Sequence, residues 1–447
     1  MFSQETHQKI YFLALAYLCF SVPFMSKWLP FTIGVVALLL NFLLEGNLSL
    51  RLKKAVCTPW VLLFVIFYVC HLISVTYSTY ISEANRDLFL KLPLLIVPVV
   101  LSSVILSESQ KKRLYSFWIV ATVMATCFLI GQAYINYADT GHVRFWFYSA
   151  LAGGKHPAYF SMYCITAIIF LFLGKFEKWK ALPLMLLMLM VFLLSSRMQI
   201  LVLLAIAFVK VCLEFARNKK PRTIFFIAFV GLISLFLSEN VRSKIRFNSA
   251  QKEVGQLFSQ DFKSTKRGAI WDFGLQIIQE SPWIGYGNGD EFEVLNQVIQ
   301  SKVQLKESDV IALANQTIQD TSLMKRLYTT AERRGWDKSD LHFRYAKWKL
   351  IKDLDNPYNK FYNHYYNYHN QFLQSWATAG ILCLLVLLGI FFVMVNTGIQ
   401  HKDLNLLAIV FLIIMSLMSE SMLERQYGVV YFALILPIMV LESHKSV

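Results

Sequence analysis

Three residues carry the strongest chemical signals. Arg197, in VFLLSSRMQILVLLAI, sits between two apolar runs. A charge at membrane depth costs roughly 2.5–3.5 kcal/mol on insertion scales, so it needs a reason to be there. Two readings fit: a snorkelling interfacial arginine, or an anion-binding cation facing an interior cavity. Arg267 favours the second. It opens an amphipathic helix spanning 267–280, where unpaired backbone N–H groups and the helix dipole already attract anions. A guanidinium adds a fork of donors suited to phosphate. No carboxylate pair or DxD-type metal motif lies nearby, which points to a diphosphate handled without a metal or other cofactor. The third residue is His369, in FYNHYYNYHNQFLQSWATAG, directly before a long apolar run. Asn370 is a good N-cap for the helix that follows. The positive end of that helix disfavours imidazolium, leaving His369 a neutral base.

Weaker candidates surround these three. His156, in GGKHPAYFSMY, precedes another apolar run, and His364 lies within the tyrosine-rich stretch. Tyr362, Tyr365, Tyr366 and Tyr368 read either as an interfacial aromatic belt or as sugar-stacking rings. Lys91, inside LFLKLPLLIVPV, is an intramembrane cation that either binds an anionic lipid head group or snorkels. Gly285, Gly287 and Gly289 follow Ser281-Pro282. Without a preceding strand or βαβ unit they read as a tight turn, not a dinucleotide fingerprint.

The elements that must position these groups are membrane helices. The chain has 447 residues, 56% hydrophobic and 15% aromatic, with mean hydropathy +0.49. That is too apolar for a soluble domain. The expected fold is an all-α polytopic membrane protein with about twelve spans, at 9–24, 28–44, 59–78, 87–107, 114–136, 157–174, 181–196, 198–216, 222–238, 371–396, 404–419 and 426–442. The first apolar run lacks a small-residue cleavage pattern and reads as an anchor.

Basic clusters at Arg51/Lys53/Lys54, Lys111/Lys112/Arg113, Lys175/Lys178/Lys180 and Arg217/Lys219/Lys220/Arg222 fall in alternate loops. The positive-inside rule therefore puts both termini in the cytoplasm. Much of the formal +15 charge is then a topology signal, which weakens a nucleic-acid reading. The seven cysteines lie in or beside spans, with no disulfide framework or zinc spacing. Three regions follow: an N-terminal membrane region 1–238, an extracytoplasmic and mostly helical loop domain 239–370, and a C-terminal membrane region 371–447. Within the loop domain, KRLYTTAERRGWDKSD marks a helix–loop–helix join.

R267-G-A-I-W271, S281-P-W-I-G-Y-G-N-G289 and H369-N-Q-F-L373 with Gly380 resemble the O-antigen ligase and polymerase superfamily of membrane glycosyltransferases. L194-S-S-R197 and S419-E-S-M-L-E-R425 extend the likeness, which covers roughly 150–442. The charged insert 291–360 is longer than the family pattern. The resemblance implies an enzyme of the bacterial inner membrane with its active site facing the periplasm. It would transfer a glycan from undecaprenyl diphosphate to an acceptor hydroxyl, without metal or nucleotide sugar. Arg197 and Arg267 would hold the diphosphate, and His369 would orient or deprotonate the acceptor. A ligase, joining finished polysaccharide to lipid A–core or a similar acceptor, is favoured by the single large loop. A repeat-unit polymerase shares the chemistry. A lipid-linked glycan flippase or transporter would want polar groups distributed through many broken spans, and here they gather near one loop.

Overall fold

A computed structural model of the protein describes residues 3–24, 29–173, 181–216, 265–334, 338–354, 356, 358–362, 364–441 and 443–444. The expected span 222–238, the start of the loop domain and the basic clusters at 175–180 and 217–222 lie outside the described residues. Described residues are almost entirely helical. The helices in chain order are α1 (Gln4–Ser21), α2 (Leu29–Leu44), α3 (Leu48–Cys57), α4 (Pro59–Val75), α5 (Ile81–Lys91), α6 (Pro93–Leu101), α7 (Glu108–Thr140), α8 (Pro157–Leu173), α9 (Ala181–Leu194) and α10 (Arg197–Ala216). They continue as α11 (Lys266–Glu280), α12 (Asp290–Ser301), α13 (Glu307–Gln319), α14 (Thr321–Arg334), α15 (Leu341–Asp353), α16 (Gln371–Gln400), α17 (Leu404–Ser419) and α18 (Gln426–Val440).

The expected spans 28–44, 59–78, 114–136, 157–174, 181–196, 198–216, 371–396, 404–419 and 426–442 coincide with apolar helices, but the count of twelve crossings is not confirmed. Among the described residues three helices, α7, α10 and α16, are long and apolar enough to cross a bilayer, and α2 with α3, bent by 118° at their join, add a fourth if the pair is one span. The stretch 87–107 divides at Leu92-Pro93 into the end of α5 and the short α6, because proline cannot donate into the preceding turn.

Apolar side chains of α1, α2, α4, α6 to α10 and α16 to α18 form one continuous core. Within it α16 packs along α4 and α17, and α18 along α6. The polar layer α11–α15 has cores of its own. Ile270, Phe273 and Ile277 of α11 meet Leu295 and Ile299 of α12, Tyr368 and Ala377. Leu275 of α11 is exposed. Helices α14 and α15 form the two arms of the expected join.

The two ends of the bundle differ. At one end Leu106–Ser107 pairs with Ser443–His444, Gln8 accepts from Ile105 N at 3.2 Å and Arg51 meets Glu45 at 2.8 Å. Both chain ends and two basic clusters therefore share that end. Helices α8 and α18 start together at the opposite end, where Tyr163 Oη donates to Tyr427 O at 2.9 Å.

Helix α16 is broken near that second end. Ala379 and Gly380 leave helical geometry, with Gly380 at φ 76°. The glycine-rich turn takes up the freed backbone groups: Tyr286 N donates to Ala377 O at 2.8 Å, Gly287 N to Thr378 O at 2.9 Å, and Ile381 N to Pro282 O at 3.0 Å. A Cβ on Gly285 would lie 2.6 Å from Ala377 O, and one on Gly380 would collide with Trp283 O. Glycine is required at both positions because two backbones touch there. The turn expected from sequence thus docks the polar layer onto a membrane helix.

Candidate active site at the Arg267–Glu420–His369 bridge

The rim of this second end is built largely from helix starts. Helices α8, α10, α11, α16 and α18 begin there, while α17 ends in Glu420. Thr265 caps α11 by accepting from Gly268 N at 2.9 Å. Asn370 caps α16 by accepting from Phe372 N at 2.9 Å and Leu373 N at 3.2 Å. The cap holds His369 in the left-handed region, φ 46°, an uncommon conformation for a residue with a Cβ. Trp271 Nε1 braces the segment by donating to Tyr368 O at 3.0 Å.

Glu420 joins the two leading candidates. One carboxylate oxygen faces His369 Nδ1 at 3.1 Å, and the other accepts from Arg267 Nη2 at 3.1 Å. Glu420 is 15% exposed, against 29% for His369 and 47% for Arg267. Burial pushes the Glu420 pKa up, but His369, His156 and Arg267 outweigh it and hold the carboxyl below its ordinary value. Glu420 is therefore an anion. In a neutral His369 ring Nδ1 is then the donor to Glu420, and the Nε2 lone pair is left for a substrate proton.

His156 sits where Glu420, His369, Arg267 and Arg425 all influence it. Partial burial is the largest cause of its lowered pKa. Its ring lies 5.8 Å from that of Tyr159. Arg197 opens α10 at the same rim, because Gln199 Nε2 donates to Ser416 Oγ at 2.8 Å, one turn before Glu420. Tyr366 stands behind Arg267, its hydroxyl 3.4 Å from Lys266 Nζ. Asn296 pins the Tyr366 backbone through bonds of 2.8 and 3.0 Å.

Lys91, expected to snorkel or to meet a lipid head group, is fully buried. Its ammonium contacts Asp87 at 2.5 Å and Glu424 at 2.7 Å. Glu424 accepts from Gln371 Nε2 at 3.0 Å, and Gln371 Oε1 accepts from Leu423 N at 2.7 Å. Lys91 thus fixes the turn between Glu420 and Arg425 from below. Burial pulls Glu424 up, and Lys91 wins, holding it ionised.

Glu420 and Glu424 were not among the candidates read from sequence. Their signal was two carboxylates four residues apart in SESMLER, at the boundary of two apolar runs.

Residues 182–320 match the family model described as O-antigen ligase. The matched stretch is under a third of the 447-residue chain and supports a likeness to the O-antigen ligase and polymerase superfamily. No curated protein matches the chain. The family match contains Arg197 and Arg267 and ends before His369 and Glu420, so the match covers the two arginines while His369 and Glu420 come from the chain beyond it. The match supports a glycosyltransferase of the ligase or polymerase type in general.

Proposed function

We propose that the protein is an O-antigen ligase-like inverting glycosyltransferase. It moves a polysaccharide from undecaprenyl diphosphate to a hydroxyl of lipid A–core or a similar acceptor, without a metal, on the periplasmic face of the bacterial inner membrane. The observation that carries this is the bridge in which one carboxylate, Glu420, holds both Arg267 and His369. In this reading His369 Nε2 takes the acceptor proton as the oxygen attacks the anomeric carbon. The bond to the diphosphate breaks on the opposite face, and its electron pair leaves with the phosphate. Glu420 stabilises the imidazolium that forms, as the carboxylate of a catalytic triad does. Arg267, half exposed, turns to the diphosphate together with Arg197 and neutralises the charge developing there. Asn370 fixes His369, and His156 and Tyr366 line the sugar side. Lys91 positions the loop and touches no substrate.

A single displacement inverts the anomeric centre, in contrast to the double displacement of paired carboxylates. The test is donor binding measured beside transfer in the purified protein. Arg267→Ala should weaken capture of the undecaprenyl diphosphate-linked glycan. His369→Ala should leave capture nearly intact while transfer falls. Wild-type transfer by both variants at normal membrane levels would overturn the assignment. Purified enzyme inactivated by EDTA and restored by Mg²⁺ would remove the metal-independent step. Full-length polymer stranded on the lipid carrier in a deletion strain marks a ligase, and single repeat units mark a polymerase. Labelling of Ser339→Cys by an impermeant reagent in cells with a permeabilised outer membrane tests the periplasmic placement.

A further inference from the structure

Beside the bridge lies a second group of cations that the transfer chemistry does not use. Lys266 is the neighbour of Arg267 on α11, Lys347 lies on α15, and His364 belongs to the segment leading into α16. Lys266 Nζ approaches Tyr366 Oη at 3.4 Å and stands 5.7 Å from the centre of that ring. Lys347 Nζ donates to Tyr362 O at 2.8 Å, lies 3.3 Å from His364 Nε2 and sits 5.3 Å from the Tyr362 ring. The carrier segment is rigid, since Gln300 Nε2 donates to Phe361 O at 3.1 Å and to His364 O at 3.2 Å.

The charges feel one another. Burial and then Lys266 lower the pKa of Lys347, and burial followed by Lys347 and Lys266 lowers that of His364. Among the described residues no carboxylate contributes to either shift. Like charges gathered without a counter-ion oppose their own ionisation. Among the described residues their partners, phenol rings, a hydroxyl and a carbonyl, leave the positive charge uncompensated. Exposed or half-buried cations interleaved with aromatic faces suit a ligand with both an anionic group and a sugar face.

We propose that Lys266, Lys347 and His364, with the partly open ring of Tyr366, form a subsite for an anionic saccharide, one carrying a carboxylate or phosphate on its ring. The subsite rests on the glycosyltransferase reading and names the class of sugar that the enzyme holds next to its base. The uronate and sugar-phosphate sources share this chemistry, and two probes separate them: an oligogalacturonate and glucose 6-phosphate.

Binding of each probe to the full-length protein in zwitterionic nanodiscs, against a neutral maltooligosaccharide of equal length, is the test. One or both anionic probes should bind on the order of tenfold more tightly than the neutral one, and Lys266→Gln with Lys347→Gln should abolish that margin, the scale of two exposed charge pairs. The corresponding Lys→Arg pair should retain it, which separates lost charge from lost fold. Equal affinity for neutral and anionic probes, or an unchanged margin in the glutamine pair, would overturn the subsite. So would an effect of that pair confined to adsorption onto anionic phospholipid vesicles, which would mark a membrane contact instead. Arg267→Ala keeps the two readings apart: probe binding that survives it while transfer is lost supports both. Transfer that survives both Arg267→Ala and His369→Ala removes only the catalytic assignment.

Discussion

Glu420 and Glu424 stand four residues apart in one turn, and each pairs with a cation from a distant helix, yet their surroundings differ. Glu420 holds Arg267 and His369 at 3.1 Å each, with both partners partly open to solvent. Glu424 holds Lys91, which is fully buried and also bound to Asp87. The two carboxylates are about equally buried and the cations are not: a pair whose cation is half open to water is screened and approaches the exposed limit of about 0–1 kcal/mol. A buried pair is expensive to break, because removing one partner strands a charge in low dielectric. The same chemistry is therefore exchangeable at the rim and locked below it. In the proposed mechanism a diphosphate displaces Glu420 from Arg267 at little loss. Nothing can displace Glu424 from Lys91 without destabilising the turn that presents Glu420.

The sharpest break of this contrast is at His369. His369→Ala should lower transfer by roughly 10²–10⁴-fold, the usual worth of a general base, with the protein present at normal levels in the membrane. A loss of folded protein instead would place His369 with the structural cluster. Lys91→Ala should do the reverse. We expect a loss of about 3–5 kcal/mol of stability, visible as reduced protein and a lower melting temperature. Arg267→Ala should cost under about 1 kcal/mol of stability but reduce transfer by about 10²–10³-fold. Lysine at 267 should rescue poorly, since a point charge does not replace a fork. Equal stability losses at Lys91 and Arg267 would erase the distinction.

Sequence made the rim's parts legible one at a time. Arg197 and Arg267 stood out as charges beside apolar runs, and Asn370 as a cap that forms as expected. What joins them was not legible, because Glu420 is an ordinary carboxylate until Arg267, 153 residues earlier in the chain, folds onto it. Lys91 was conspicuous for the right physical reason, but its partners Asp87 and Glu424 come from one turn before it and from 333 residues away. The glycine-rich stretch announced a turn, whereas its docking into the break of α16 depends on contacts that no local pattern encodes. The expectation of continuous spans failed at 87–107 and at Gly380 for related reasons. Proline at 93 divides the first, and a glycine at positive φ breaks the second.

Glu291 provides a pH-dependent measure of the locked region. It is buried in α12, accepts from Gln374 Nε2 at 2.7 Å through one oxygen, and leaves the other without a hydrogen-bond partner. Burial first, and then the Glu424 and Asp87 charges, push its pKa up to about 8. Between the ordinary carboxylate range and that value the folded state keeps a proton that the unfolded state has released. Stability therefore falls as pH rises through this window. Glu291→Gln should remove that slope and raise the melting temperature at pH 8, with little change near pH 4. An unchanged pH profile would mean that Glu291 titrates normally.

The smallest effect bears on how firmly the exchangeable side is held. Asn370 accepts from two backbone N–H groups of α16 while its neighbour His369 stays at φ 46°. Losing a side-chain cap typically costs about 1 kcal/mol, so Asn370→Ala should lower stability by that amount. If the cap also sets the direction of the imidazole, transfer should fall by more than the stability loss explains, through kcat and not KM. Serine and aspartate can cap in the same way. They should restore both quantities, although aspartate adds a second anion beside Glu420 and should recover transfer less fully. Full transfer in Asn370→Ala, with the stability loss alone, would show that Glu420 by itself orients His369. The rim would then owe its geometry to the bridge and not to the helix start.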